Sequence, residues 1–435
     1  MSVQLDVRGA ALGAARRIGR ELCASAFWDE EKKLCTWMGR TDVEDSSGAG
    51  YASATAALGA HLYGGASGVA LFLAELYGLT QDAEAGRTAE GALRRSVAYL
   101  HTHEAQTSPI SFHLSHVGVA YAVARAQDFG LCADLRDETA WLIERAADAL
   151  AGEHLLDTLG GSAGAVPALL ALARRPGFER CLELARACGE DLCRTAVSDG
   201  QVCYWEATKA SGSVFTSPPM TGLSHGACGM ALALFELYAQ TGEAEFLHTA
   251  RAAFAYEDML FNPALSNWVD VRFPYADYGT GLNGSFQTSW CHGAPGIGLA
   301  RLRAAALDAE QSAAHEQKAR AALATTLTAI EQNLQTPRFD STLCHGLAGL
   351  SEIVLIYAEA FDDDGYREMA TSATGELIRR YAETCDWPGG NITGGVNPTL
   401  MIGISGVGHH LLRLHAPRRV PPLLVIDSTR ANSPA

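Results

Sequence analysis

A glycine-punctuated turn followed by an apolar run occurs seven times in this chain, and no other feature constrains its fold as much. The copies read Tyr63-GGASGVALFLAEL, Leu114-SHVGVAYAVA, Leu159-GGSAGAVPALLAL, Leu223-SHGACGMALALFEL, Trp290-CHGAPGIGLARL, Leu343-CHGLAGLSEIVLIY and Met401-IGISGVGHHLLRL. Six carry Gly-x-x-Gly; in the second, Val117 is read at the place of the first glycine. The copies lie 44 to 67 residues apart, enough for two helices of ordinary length and their connections. A repeat of this period marks an architecture in which one supersecondary unit stacks on the next.

The two helical segments of each unit differ in character. Those after the second glycine are apolar nearly all round, as with Val69, Leu71, Phe72, Leu73, Leu76 and Tyr77, and such helices need burial on every side. Those between the copies, such as Ser312-AAHEQKARAALATTLTAIEQNL and Gly365-YREMATSATGELIRRYAE, are amphipathic and charged and should face water on one side. Seven buried helices alternating with seven half-buried ones are satisfied by a closed double ring. The expected fold is therefore all-α, an α/α toroid of seven inner and seven outer helices. An open helical array is the alternative, disfavoured because such arrays expose atypical terminal repeats. The glycines permit positive φ and close backbone approach before each inner helix. A closed ring would gather all seven turns at one end of a central cavity.

Composition then excludes several classes of function. With 435 residues, 48% of them hydrophobic, the chain can bury a substantial core. Its 33 basic against 49 acidic side chains leave a net charge of −16, which repels phosphate backbones and anionic lipid, so no nucleic-acid partner is expected. The sequence has neither a secretory-signal run nor a charge-free stretch of membrane-spanning length, so no membrane span and a cytoplasmic location are expected. Eleven cysteines without framework spacing argue against a disulfide scaffold. Cys181, Cys188 and Cys193 fall in an amphipathic stretch and read as packed thiols.

The turns differ around the first glycine, and there the chemistry gathers. Two read Cys291-His292-Gly293 and Cys344-His345-Gly346, and a third reads Ser224-His225-Gly226. Thiolate and imidazole donors brought to one cavity mouth are the set zinc prefers. If Cys291, His292, Cys344 and His345 all bind, the site is closed and structural; if three bind, one position stays open for water or a substrate thiol. Spacing alone leaves both arrangements standing. The nucleophile elbow, the His-Glu-x-x-His motif and the strand that a dinucleotide site requires are absent from these turns.

At these residues the sequence resembles the lanthionine cyclase (LanC-like) family, and most closely the cyclase half of the two-domain LanM lanthionine synthetases. The matching stretches also include Leu156-DTLGGSAGAVPALL, Phe254-AYEDMLFNPALSNWVDVR and Asn397-PTLMIGISGVGHHLLRL, and together they run from about Thr36 to Leu414. The resemblance implies one cyclase domain over residues 1–435, with an N-terminal helix over about 1–35 and a tail over about 416–435. No dehydratase half is recognisable, so a stand-alone cyclase served by a separate dehydratase is expected. The family's α/α toroid joins cysteine thiols to dehydroalanine or dehydrobutyrine in a dehydrated, ribosomally made precursor peptide, closing thioether rings with the help of Zn2+.

Carried over residue by residue, the resemblance makes Cys291, Cys344 and His345 the zinc ligands, which selects the open site. It makes His225 the general acid/base and implicates Asp157 in proton handling. His292 becomes a second proton carrier or a neighbour of the metal. Two departures stand out: Gln287 replaces the arginine of the single-domain members, and His292 replaces their tyrosine, so the group that steadies the enolate is left unassigned. Tyr63, His61, His409 and His410 belong to other turns and receive no role, and His116 reads as structural. Two other functions fit the same residues: a zinc-dependent transferase adding glutathione or another small thiol to dehydroamino acids, and a non-catalytic scaffold that binds precursor peptide for a dehydratase.

Overall fold

Each glycine turn is built the same way, and its second glycine is required by a contact rather than by a torsion. In the computed structural model, a Cβ added at Gly68, Gly164, Gly229, Gly296, Gly349 or Gly406 would lie 1.9–2.1 Å from the carbonyl oxygen six residues earlier. No side chain fits there. Gly118 makes the same approach to the Phe112 carbonyl, at 1.8 Å, and this corrects the register of the second copy. Ser115, not Val117, takes the place of the first glycine, and it is the N-cap of its helix. The expectation of positive φ also needs correction: of the six first glycines only Gly293 has one, at +84°. The others are extended and are needed for close approach alone.

The structure describes residues 6–44, 51–103, 108–206, 219–272, 285–389 and 396–428. Among these, seven helices follow the turns: α2 (Ala66–Thr80), α4 (His116–Gln127), α6 (Ser162–Ala173), α8 (Ala227–Thr241), α10 (Ala294–Leu307), α12 (Leu347–Phe361) and α14 (Ile404–His415). Each packs against the next, and α14 packs against α2, so the inner ring closes. An open array is excluded by that last contact. The outer helices are α1 (Val7–Ala24), α3 (Ala83–Thr102), α5 (Arg136–Leu150), α7 (Arg180–Thr195), α9 (Ala244–Met259), α11 (Ser312–Gln335) and α13 (Asp364–Tyr381). Six of them follow and cover their own inner helix, whereas α1 covers α14 from the other end of the chain.

The segments at the two ends differ from their expected outlines. The first helix ends at Ala24 and gives way to a hairpin of β1 (Phe27–Asp29) and β2 (Leu34–Thr36), where a helix had been expected to about residue 35. Three further hairpins follow: β3 (Met38–Glu44) with β4 (Tyr51–Ala57), β5 (Val197–Ser198) with β6 (Cys203–Tyr204), and β7 (Phe261–Asn262) with β8 (Asn267–Trp268). Residues 1–5 and 429–435 lie outside the described residues.

The inner helices are not wholly apolar, because buried charges staple neighbours together. Arg125 of α4 forks onto Glu75 of α2, Arg303 of α10 onto Glu236 of α8, and Arg413 of α14 onto Glu352 and Glu359 of α12. Buried ions persist only when paired and hydrogen-bonded. Arg125 and Arg413, joined by Arg174 of the third unit, also grip the backbone of residues 416–428, which enter the ring from the end opposite the turns, and Arg303 pairs with the Asp427 carboxylate there. Arg125 bonds the Arg419 carbonyl, Arg413 those of Pro417 and Val420, and Arg174 that of Ser428. Leu423, Leu424 and Val425 are buried at the centre, and Trp290 Nε1 donates to the Leu424 carbonyl at 2.8 Å. The segment thus stops the ring from within and forms the floor beneath the turn that carries Cys291.

Candidate functional site

A collar of hydrogen bonds fixes the seven turns relative to one another. The N–H of Tyr63 donates to the His113 carbonyl, Leu159 to Ser224, Ser224 to Cys291, Trp290 to Cys344, Cys344 to Met401 and Met401 to Tyr63, all at 2.8–3.1 Å. Ser111 Oγ completes the circle on the Leu159 carbonyl at 2.9 Å. The residue two before each helix cap therefore stands at the rim of one ring. In chain order these residues are Tyr63, His113, Leu159, Ser224, Cys291, Cys344 and Met401. Residues far apart in sequence become neighbours: Cys291 lies between Ser224 and Cys344, and Tyr63 lies beyond Met401.

Cys291, Cys344 and His345 converge, with one donor atom from each lying within 4.8 Å of the others. Cys344 is buried and Cys291 is partly exposed. Each sulfur is held by a hydroxyl from outside the trio, Tyr63 to Cys344 Sγ at 3.1 Å and Ser289 to Cys291 Sγ at 3.3 Å. Cys291 is pushed down to about 3, first by the neighbouring Cys344 thiol, which donates to it, and then, against burial, by His345. Two soft sulfurs, one imidazole and a hydroxyl beside each sulfur suit a thiophilic ion such as zinc. The three residues fit such an ion.

The turn that carries Cys291 is positioned by β8. Asn267 accepts from the Ala294 and Trp268 N–H groups at 2.7 and 2.8 Å, and its amide donates to the Gln287 carbonyl at 3.0 Å. In the Ser224-His225 turn, Glu257 of α9 does similar work, accepting from Gly222 N and Cys228 N. Burial pushes its carboxyl up to about 8.

Across the rim, His225 Nδ1 meets Asp157 Oδ2 at 2.8 Å. The other oxygen of Asp157 accepts the Gly160 N–H at 2.6 Å. That second bond belongs to the shared turn design: His61, Ser111, Ser289 and Thr342, each four before its cap, accept the N–H three residues on. Four turns do this with a neutral side chain. Only the third uses a carboxylate, and its spare oxygen holds His225. Asp157 thus both holds the turn together and anchors the histidine, while the N-cap of the helix is Gly161.

His292 does not join the Cys291, Cys344 and His345 cluster. It is buried, its ring lies 5.8 Å from that of His225 at 30°, and its Nε2 faces Ser224 Oγ at 3.4 Å. Burial is the main cause that pushes it down to about 4. A cavity of about 280 Å³ opens over the rim, lined by Tyr63, His225, Arg272, Gln287, Cys291, His292 and His345 among others. A larger cleft of about 860 Å³ lies at the far end of the ring, and its lining of Arg, Asp, Glu and aliphatic residues holds neither thiol nor imidazole.

Tyr63, Ser289 and Arg272 were not assigned from the sequence. Tyr63 had a signal, since it opens the first copy at the position that Cys291 and Cys344 occupy in theirs. Arg272 stands outside the repeat, and its signal was its place at the end of the stretch from Phe254 that resembles the family. His113 was missed because of the shifted register of the second copy; it occupies the cysteine position there, packed edge-on against Trp290 at 5.4 Å. His409 and His410 are buried in α14, away from the cavity, with His410 bonded to Glu352 and Thr374. His116 packs on Trp141 and bonds Ser115.

A closed α/α ring with a cysteine–cysteine–histidine cluster at one mouth defines a class of toroidal proteins whose rim could hold a thiophilic metal ion. Residues 56–425 match the family of lanthionine synthetase C-like proteins, and the chain belongs to that family. Among solved structures, nisin cyclase superposes with a TM-score of 0.62, at 17% identity over 92% of this chain and 93% of its own. Among curated proteins, the lacticin 481/lactococcin biosynthesis protein LcnDR2 of Lactococcus lactis subsp. lactis is 24% identical over 213 residues, 47% of this chain and 21% of its own length. The match thus spans about a fifth of that relative. Among the described residues no helix is long and apolar enough to cross a membrane.

Proposed function

We propose that this protein is a zinc-dependent lanthipeptide cyclase that adds cysteine thiols to dehydroalanine or dehydrobutyrine within one dehydrated precursor peptide. In this reading residues 1–435 act as one cyclase unit, in the cytoplasm, on the product of a separate dehydratase. The observation that carries the reading is the convergence of Cys291, Cys344 and His345 at a cavity mouth that also holds the His225–Asp157 pair. Family membership supports it.

Cys291, Cys344 and His345 would hold zinc, which when bound supplies the charge that keeps a substrate sulfur deprotonated near neutral pH. A free thiol of pKa near 8.5 is only about 3% thiolate at pH 7. That gain is roughly thirtyfold, and positioning can contribute far more, with effective molarities on the order of 10⁵ M or above. The cavity would therefore act chiefly by holding thiol and alkene together. As sulfur attacks the β-carbon, the alkene electrons move onto the carbonyl oxygen, and a proton must then reach the α-carbon. His225 carries that proton. Asp157 fixes hydrogen on Nδ1, so that Nε2 does the transfer. His292, stacked on His225 and bonded to Ser224, keeps the histidine in place.

The test is a dehydrated peptide with a free cysteine. Ring closure leaves its mass unchanged and removes the thiol from reaction with an alkylating agent. Cys344→Ala should lose metal and ring closure together. If the peptide instead gains the mass of an added small thiol, the protein is an intermolecular thiol transferase; if metal-free protein closes rings, the zinc assignment falls.

A further inference from the structure

The chemistry above builds negative charge on a carbonyl oxygen, and one side chain of the cavity is suited to receive it. We propose that Arg272 is a catalytic residue that donates guanidinium hydrogen bonds to the enolate oxygen formed as the thiolate adds. The inference rests on the cyclase reading and names a residue that reading leaves unassigned.

Among the described residues that line the cavity, Arg272 alone carries a permanent positive charge; the others are histidines, cysteines and neutral groups. It shares the cavity with Cys291, His345 and His225. An arginine there lies in the same cavity as the residues that would hold the metal and the histidine that would deliver the proton.

Its placement is built rather than incidental. Asp270 is 3% exposed and grips the arginine three times: Nε at 2.9 Å, Nη2 at 2.7 Å and the backbone N–H at 3.1 Å. Asp270 is itself pinned, its N–H donating to the Ser285 carbonyl at 2.7 Å, a few residues before the Cys291 turn. The carboxylate lies behind, buried, while the arginine side chain keeps 35% of its surface open. This orients the ion pair with its positive end toward the cavity. The Asp270 grip also fixes the guanidinium plane, so little rotamer freedom remains to be lost in the transition state.

Gln287 cannot do the same work. Its amide is neutral and donates to Ser285 Oγ at 2.9 Å. Hydrogen bonds from a charged donor to an oxyanion are roughly twice as strong as neutral ones.

The step balances without any further reactant. The sulfur lone pair forms the S–Cβ bond while the Cα=Cβ pair shifts to Cα and the carbonyl oxygen, where Arg272 stabilises it. The proton released by the cysteine thiol is taken up at His225 Nε2; when His225 delivers it to Cα, the electron pair forms the C–H bond, the carbonyl is restored and His225 is neutral again. Arg272 gives up no proton at any point.

The experiment uses the zinc-loaded full chain and the dehydrated cysteine peptide. Arg272→Ala should keep about one zinc per chain, bind the peptide as wild type does, and lose about 10²–10³ in kcat. Arg272→Lys should recover part of the loss. Millimolar guanidinium, but not urea, should restore turnover to Arg272→Ala in a saturable way and leave Cys344→Ala inactive. Near wild-type turnover in Arg272→Ala overturns the proposal; so does loss of zinc or of peptide binding alongside activity, which would make the residue structural. If the alanine variant does not fold, Arg272→Lys decides, since it keeps a cation for Asp270: undiminished kcat overturns the role, and reduced kcat with zinc retained supports it. Wild-type protein that takes zinc and closes no ring overturns the cyclase reading instead.

Discussion

Replacing Asp157 by Asn tests the proton-handling assignment more sharply than deleting the side chain. Asp157 makes two bonds, Oδ1 with the Gly160 N–H at 2.6 Å and Oδ2 with His225 Nδ1 at 2.8 Å. The Gly160 N–H can only donate, so it must take the amide oxygen of an asparagine. The amide NH2 is then forced to face His225. A donor in place of an acceptor drives the proton from Nδ1 to Nε2 and inverts the tautomer that the cavity sees. Loss of one charge-assisted bond is worth about 1.5–3 kcal/mol, which at 1.36 kcal/mol per decade is roughly ten- to 150-fold. The upper bound is the whole contribution of a positioned acid/base, about 10²–10⁴. Asp157→Asn should therefore lower kcat by at least roughly tenfold and at most about 10⁴-fold while metal content and thermal stability hold, because the Gly160 N–H keeps its acceptor. Asp157→Ala should lose stability as well. Thiol-alkylation kinetics, zinc analysis and calorimetry read all three. An asparagine variant that turns over within a few-fold of wild type would refute the tautomer argument, and one that loses zinc would show that Asp157 supports the metal turns instead.

Three further outcomes follow from the same geometry. Burial raises Glu257 to about 8, so the folded state binds its proton more tightly than the unfolded chain; this contribution is complete below the unfolded value near 4.3 and is lost as pH rises toward 8. Glu257→Gln should flatten the fall in melting temperature between pH 5 and 8, and an unchanged slope would count against a buried, protonated carboxyl. Gly349→Ala puts a Cβ 1.9 Å from the Leu343 carbonyl, in the turn that carries Cys344. It should cost several kcal/mol of stability and weaken zinc retention, as read by thermal denaturation and metal analysis; a variant as stable as wild type would contradict the packing argument. Trp290→Phe leaves the Leu424 carbonyl without its buried donor and should cost about 1–3 kcal/mol. Denaturant melts would show it, and no change would mean that residues 416–428 do not depend on that bond.

The sequence by itself determined the number of units, the alternation of buried and half-buried helices, and the three turns, at His225, Cys291 and Cys344, in which the thiols and imidazoles of the cavity mouth gather. It could do so because the causes are local. The second glycine of each turn answers to a carbonyl only six residues back, so its requirement recurs at a readable interval, and the helix faces repeat with the helical period. Where the cause is not local, the reading failed or stopped. The second copy was set out of register because its first position is extended, at φ −156°, and there a serine serves as well as glycine; only the approach of Gly118 to Phe112 fixed the frame. Which turns adjoin, that Tyr63 reaches Cys344 across 281 positions and His225 reaches Asp157 across 68, and that Arg272 turns into the cavity were decided by ring closure. So was the burial of residues 416–428. Closure is the sum of contacts between α14 and α2 and between α1 and α14, at opposite ends of the chain, and no periodicity within either end records them.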